Sequence, residues 1–151
     1  MLRTRLNEAL KEAMRAKNQR AISTVRLILA ALKDRDIAAR TRGVTDGIGE
    51  DEILQMLQTM IKQRREAIAL YEQGGRLELA EQEREEIVVI EGFMPRQLSE
   101  AEARAAIAAA IQETGAAGIK DMGKVMAELR ARYAGQMDFG KASGWAREAL
   151  G

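Results

Sequence analysis

The residues that could do chemistry in this sequence are carboxylates and basic side chains, because the chain contains no histidine and no cysteine. Those absences exclude thiolate metal sites, disulfides, cysteine nucleophiles and every catalytic arrangement with a histidine base. Carboxylates gather at residues 49–52 (GEDE) and 83–86 (EREE), where paired acids could bind a divalent cation or share acid and base roles. Neither stretch has calcium-loop spacing. We therefore interpret both as solvated helix faces and predict no metal, no cofactor and no catalytic residue.

A Gly-Lys pair lies in the segment DMGKVM, residues 121–126. It lacks the glycine spacing of a phosphate-binding P-loop and does not follow a strand, so that motif is excluded. Lys124 is then a surface lysine.

Charge is unevenly distributed although the net charge is only +1. Residues 1–42 contain eleven basic and four acidic residues, whereas residues 77–95 contain one basic and six acidic residues. One interpretation is a pair of helices whose opposite charges face each other or the solvent. The other is a basic surface on an otherwise balanced protein, which would suit a polyanionic partner.

The segment KQRRE, residues 62–66, contains three basic residues with different helical positions. Lys62 and Arg65 lie one turn apart on the outer side, whereas Arg64 aligns with the apolar residues Met60 and Ala67. We predict that the stem of Arg64 packs on apolar surface while its guanidinium reaches a carboxylate of the acidic fourth helix.

The remaining basic residues of interest could contact phosphates from an exposed face. Because only 3% of the residues are aromatic, platforms for stacking single-stranded bases are scarce, and folded RNA is the better candidate ligand. The candidate RNA-binding residues are Arg26, Arg42, Lys62, Arg65, Arg76, Lys120 and Lys124.

Apolar residues recur at intervals of three and four along the whole chain, which predicts an all-α protein. Gly74 and Gly75 end a third helix at a hairpin corner, and Pro95 marks a break after a fourth. Ser99 and Glu102 then form a capping box for the next helix. We expect an N-terminal four-helix bundle-like domain (residues 1–94), a connector (residues 95–98) and a small three-helix C-terminal domain (residues 99–151).

The composition also limits location. The N-terminal segment has charges every few residues and no apolar h-region, and no later stretch is long and apolar enough to span a membrane. We expect a cytoplasmic protein without membrane contact.

Three segments carry a resemblance to a known family. They are IKQRREAIALYEQGGRLELAEQEREEI, IEGFMPRQLSEAE and GIKDMGKVM, in that order. The sequence resembles the YqeY family, small free-standing proteins similar to the tail of the B subunit of tRNA-dependent amidotransferases. The resemblance covers nearly the whole chain and departs at residues 135–140, where GQMDFG stands in place of a turn similar to GxADG.

The resemblance implies an all-helical protein in two parts. It also implies a link to tRNA and to carbon-nitrogen ligase activity with glutamine as amido donor, although the catalytic cradle of the amidotransferase is absent from this chain. We therefore expect an accessory module that contacts tRNA or another folded RNA, with a protein of the translation or aminoacylation machinery as a possible partner. One alternative is a protein-protein adaptor without RNA binding. Another is an independent enzyme, which would need a concave polar pocket lined by carboxylates and lysines.

Overall fold

The computed structural model describes all residues from Met1 to Gly151, and it confirms the predicted all-α class. Two short 3-10 turns, Arg40–Arg42 and Ile119–Asp121, interrupt the connections. The seven α-helices are α1 (Leu2–Arg15), α2 (Gln19–Ala39), α3 (Glu50–Gln73), α4 (Leu77–Glu91), α5 (Glu100–Thr114), α6 (Met122–Tyr133) and α7 (Phe139–Leu150).

Local side-chain signals set several helix ends. Asn18 accepts a hydrogen bond from the amide of Ala21 and so begins α2, and Asp138 caps α7 in the same way. Both hydrogen bonds of the predicted capping box between Ser99 and Glu102 are present at the start of α5. At the hairpin corner after α3, Gly75 takes the left-handed conformation with φ +72°, while Gly74 does not.

The chain divides into two compact units, residues 1–94 and 95–151. In the first unit α4 packs against both α2 and α3, and α1 packs against α2. The core between these helices is aliphatic, and its fully buried members include Leu6, Ile28, Ile53, Met56, Leu57 and Ile90. Methionine therefore fills the space that aromatic residues occupy in other cores.

A charged cluster joins α1, the end of α2 and the loop before α3. Both guanidinium nitrogens of Arg3 donate to the Asp36 carboxylate, at 2.8 and 2.7 Å, and Arg3 also donates to the carbonyl of Ile48. The amide of Ile48 donates back to Asp36 at 2.9 Å. The hydrogen bond from Arg3 lowers the pKa of Asp36 to about 2, against the opposing effect of burial. The stabilisation is therefore present at neutral pH and is lost as the pH falls from the unfolded value towards 2.

The second unit has its own core around Ile107, Val125 and Leu129. Residues 95–98, predicted to be a connector, belong to this unit: the amide of Leu98 donates to Gln136, and the Gln97 side chain donates to Gly135. The divergent segment at residues 135–140 thus anchors the incoming chain. Gly135 has φ +76°, and Met137 is buried in the core.

Two apolar residues are more exposed than the periodicity predicted. In the apolar run IVVI, residues 87–90, only Ile87 and Ile90 are buried, and Val88 is 71% exposed. Ile119 lies in the 3-10 turn before α6 and is 53% exposed. Around α4, the neighbouring helices therefore cover a narrower arc of the helix surface than the apolar run occupies.

No helix has both the length and the apolar character needed to cross a membrane.

The prediction that the two units fold independently can be tested by limited proteolysis with a protease of low specificity. We expect the first cut within residues 94–97, because Arg96 is exposed and the unit boundary precedes Pro95. Fragments are identified by mass spectrometry. Dominant early cleavage within residues 87–90 would contradict the two-unit organisation.

The charged cluster predicts that an alanine at Gly47 is poorly tolerated. Gly47 has φ +91°, and a Cβ there would lie 2.5 Å from a guanidinium nitrogen of Arg3. Gly43→Ala is the matched control, since Gly43 has φ +81° but open space around it. We expect Gly43→Ala to cost about 1 kcal/mol through backbone strain alone, and Gly47→Ala about 1 to 2 kcal/mol more in urea titrations. Equal losses would show that Arg3 moves aside without cost.

Candidate RNA-binding surface

The acidic residues of α4 are largely occupied by arginines of neighbouring helices. Arg20 of α2 donates to Glu85 at 3.0 Å, and Arg65 of α3 lies 3.7 Å from Glu91. Opposite charges therefore face each other along this part of the bundle, as the first interpretation of the charge pattern proposed. The arrangement removes much of the negative charge of α4 from the surface potential.

Arg64 makes the contact that its position on the apolar stripe predicted. Its side chain is 13% exposed, its Nε donates to Glu86 at 3.0 Å, and Glu83 lies 3.9 Å away. A further guanidinium nitrogen donates to the carbonyl of Met60. Burial and the adjacent Glu86 raise the pKa of Glu83, against the opposing effect of Arg64. Arg64 is thus occupied inside the bundle.

The candidate residues on and after α3 are exposed, but two of them lie close to carboxylates. Lys62 forms no ion pair, whereas Arg65 lies near Glu91 and Arg76 lies 3.5 Å from Glu78. These pairs are solvent-exposed and contribute little binding energy, so they weaken the local positive potential without fixing the side chains.

The seven candidates do not form one compact group. Arg42 contacts Glu52 at the start of α3, whereas Arg76 follows the end of that helix, and the rise of an α-helix separates the two by roughly 35 Å. The candidates of the first unit therefore extend over roughly the length of α3. Lys120 and Lys124 lie in the other unit. There the hydrogen bond from the amide of Ala117 lowers the pKa of Asp121, and the charges of the two lysines lower it further.

Arg26 does have basic neighbours that the sequence analysis did not select. Lys33 and Arg40 follow it at intervals of seven residues, so all three lie on one side of α2 and its C-terminal turn. All three are exposed and none forms an ion pair. Their spacing was visible in the sequence, but the freedom of each from a carboxylate partner was not.

Two open grooves lie in the first unit. One, of about 800 Å³, runs along α1 to Phe93 and has Glu8 and Glu12 among its lining residues. The other, of about 400 Å³, separates α2 from α3, and Asp34 and Met60 line it. No group of three carboxylates in the chain is arranged to hold a metal ion.

These features define a small, two-unit helical protein whose unpaired surface charge is mainly basic. The family model described as Yqey-like protein matches residues 3–150, and the chain belongs to the YqeY family. A search of the curated proteins finds no match.

The buried position of Arg64 predicts a stability cost for its removal. Arg64→Ala leaves Glu83 and Glu86 without a counter-charge, so we expect unfolding free energy to fall by about 1 to 3 kcal/mol in urea titrations. Arg15→Ala is the control, because its pair with Glu12 is exposed and should cost less than about 0.5 kcal/mol. A loss of unfolding free energy for Arg64→Ala no larger than that of the control would contradict a stabilising role of the Arg64 ion pair.

Proposed function

We propose that this YqeY-family protein is an accessory module that contacts tRNA or another folded RNA through its phosphates, without a catalytic centre of its own. The observation that carries the proposal is the unequal use of charge. The acids of α4 contact Arg20, Arg64 and Arg65, whereas no lysine of the chain forms an ion pair. Exposed, unpaired cations are the groups that exchange counterions for phosphates.

The small aromatic content supports folded rather than single-stranded RNA. The aromatic residues Phe93, Phe139 and Trp145 are buried or half-buried beside the cores, and each lies under an arginine. Stacked guanidiniums on partly buried rings stabilise the fold and leave few rings for unstacked bases. Contacts to phosphates carry no base information, so the binding we propose is selective for shape rather than sequence.

The proposed link to amidotransferase chemistry rests on the resemblance of the family to an amidotransferase tail. Such a tail needs no acid or base of its own, since it positions a substrate RNA for a catalytic partner. The proposed partner is therefore a protein of the translation or aminoacylation machinery.

Exposed apolar residues favour a second candidate function, a protein-protein adaptor. Leu70 and Leu77 flank the corner between α3 and α4 and are 67% and 63% exposed. Apolar side chains this exposed at the tip of a hairpin are suited to contact another protein.

RNA binding predicts a steep dependence on salt. We expect weak binding of the wild-type protein to bulk tRNA in fluorescence anisotropy at about 50 mM salt, and a marked loss at about 200 mM, because phosphate contacts release counterions. An apolar protein contact should change little over that range.

A pull-down from cell lysate with and without ribonuclease separates the two candidate functions. Loss of captured proteins after ribonuclease treatment supports RNA binding. Capture of the same proteins in both samples, together with no tRNA binding at the lower salt, would favour the adaptor.

A further inference from the structure

We infer that the outer side of the α1–α2 hairpin is the RNA-contacting surface, and that it takes the phosphate backbone of double-helical RNA. This inference rests on the proposed function and names the surface that would perform it. The basic strip consists of Lys11, Arg26, Lys33 and Arg40.

The strip is continuous along one side of the hairpin. Arg26, Lys33 and Arg40 repeat every seven residues, about 10.5 Å per step and roughly 21 Å in all. Arg3 contacts Asp36 across the hairpin, which places α1 beside this side of α2. Lys11 is exposed and lies eight residues, a little more than two turns, beyond Arg3, so it adds a positive charge to the exposed part of α1.

Two of the four acidic residues of residues 1–42, Glu12 and Asp36, are paired with arginines, whereas Glu8 and Asp34 are exposed and form no ion pair. Glu8 and Glu12 line the groove that runs to Phe93, and Glu12 also pairs with Arg15. Asp34 lines the groove between α2 and α3. Asp36 is held by Arg3 and by the amide of Ile48. The four cations of the strip therefore outnumber the two unpaired carboxylates of their own helices, and the balance stays positive.

Arg3 contributes to this potential although it does not belong to the strip. Arg40 lies close enough to Asp36 to act on it electrostatically, and so an unpaired Asp36 would oppose the positive charge of Arg40. The bidentate contact between Arg3 and Asp36 removes that opposition.

The composition of the strip favours the backbone of a duplex over exposed bases. No aromatic residue lies between its members on α2, whose exposed neighbours there include Leu27, Ala30 and Ile37. A surface of cations and short aliphatic groups has no stacking platform for single-stranded bases, but it can contact phosphates and riboses.

The test is fluorescence anisotropy of three variants of the full chain with a labelled RNA hairpin. The strip variant carries Arg26→Glu, Lys33→Glu and Arg40→Glu. The control variant carries Lys62→Glu, Arg65→Glu and Arg76→Glu, which changes the charge equally at three exposed positions of the same unit and tests these candidates of α3 and its C-terminal corner as the competing surface. A third variant with glutamine at the strip positions avoids new acids, should the reversed strip fail to fold by circular dichroism.

We expect the strip variant to lose about tenfold or more in affinity at low salt and to flatten the salt slope by about 2 to 3 units. The glutamine variant should show a similar flattening, and the control should retain most of the binding, because two of its arginines already lie near carboxylates. A single-stranded RNA of the same length should bind more weakly than the hairpin.

The experiment distinguishes failure of the basic strip as the binding surface from failure of RNA binding itself. If the wild-type protein binds and the control loses as much affinity as the strip variant or more, the strip is not the site but RNA binding stands. Equal binding of hairpin and single strand would overturn the preference for a duplex. If the wild-type protein binds no RNA at low salt, the proposed function fails and the inference fails with it. Displacement of the hairpin by poly-glutamate at equal charge concentration would show a surface for any polyanion and would also overturn the assignment to RNA.

Discussion

The contact between Arg3 and Asp36 is the constraint on which the first unit depends. It joins the beginning of α1 to the end of α2, and through Ile48 it also fixes the loop that leads into α3. The N-terminal end adds a second connection there, since the amide of Leu2 donates to Glu50 at 2.9 Å. Gly47 leaves the space that Arg3 needs. A charged pair costs desolvation, and this one offsets it with a bidentate geometry and two backbone partners, which an exposed pair does not have.

The pairing of carboxylates with arginines also determines the charge of the outer surface. In a chain with a net charge of +1, a basic face can exist only where acids are occupied elsewhere. The fourth helix provides that separation: Glu85 contacts Arg20 and Glu86 contacts Arg64, both directed towards neighbouring helices. The acids of α4 and the basic strip are therefore parts of one electrostatic arrangement, because the arginines that pair with α4 are different residues from those of the strip.

Local signals in the sequence were sufficient to predict the all-α fold class. Contacts between residues far apart in the sequence could not be predicted from them. The capping box at Ser99 depends on residues three positions apart, so it could be predicted directly. The exposure of Val88 depends on where α2 and α3 lie around α4, and no pattern within one helix reports that. The candidate site shows the same limit. Arg64 could be placed because an apolar stripe surrounds it, whereas the exposure of Lys33 without an ion pair depends on how the helices pack.

The size of the strip sets the kind of role it can support. Four phosphate contacts give weak, salt-sensitive affinity, and electrostatic binding without base contacts typically has a Kd of about 10⁻⁴ to 10⁻⁶ M at physiological salt. Such a surface needs a second contact to hold one RNA for long. Lys120 and Lys124 in the second unit are four residues apart and form no ion pair, so within the proposed function they would supply that contact. Two weak sites on one chain raise each other's local concentration, and their combined affinity exceeds either alone if one RNA can reach both. In the proposed function, two such surfaces on one chain would increase the residence time of an RNA beside a protein partner.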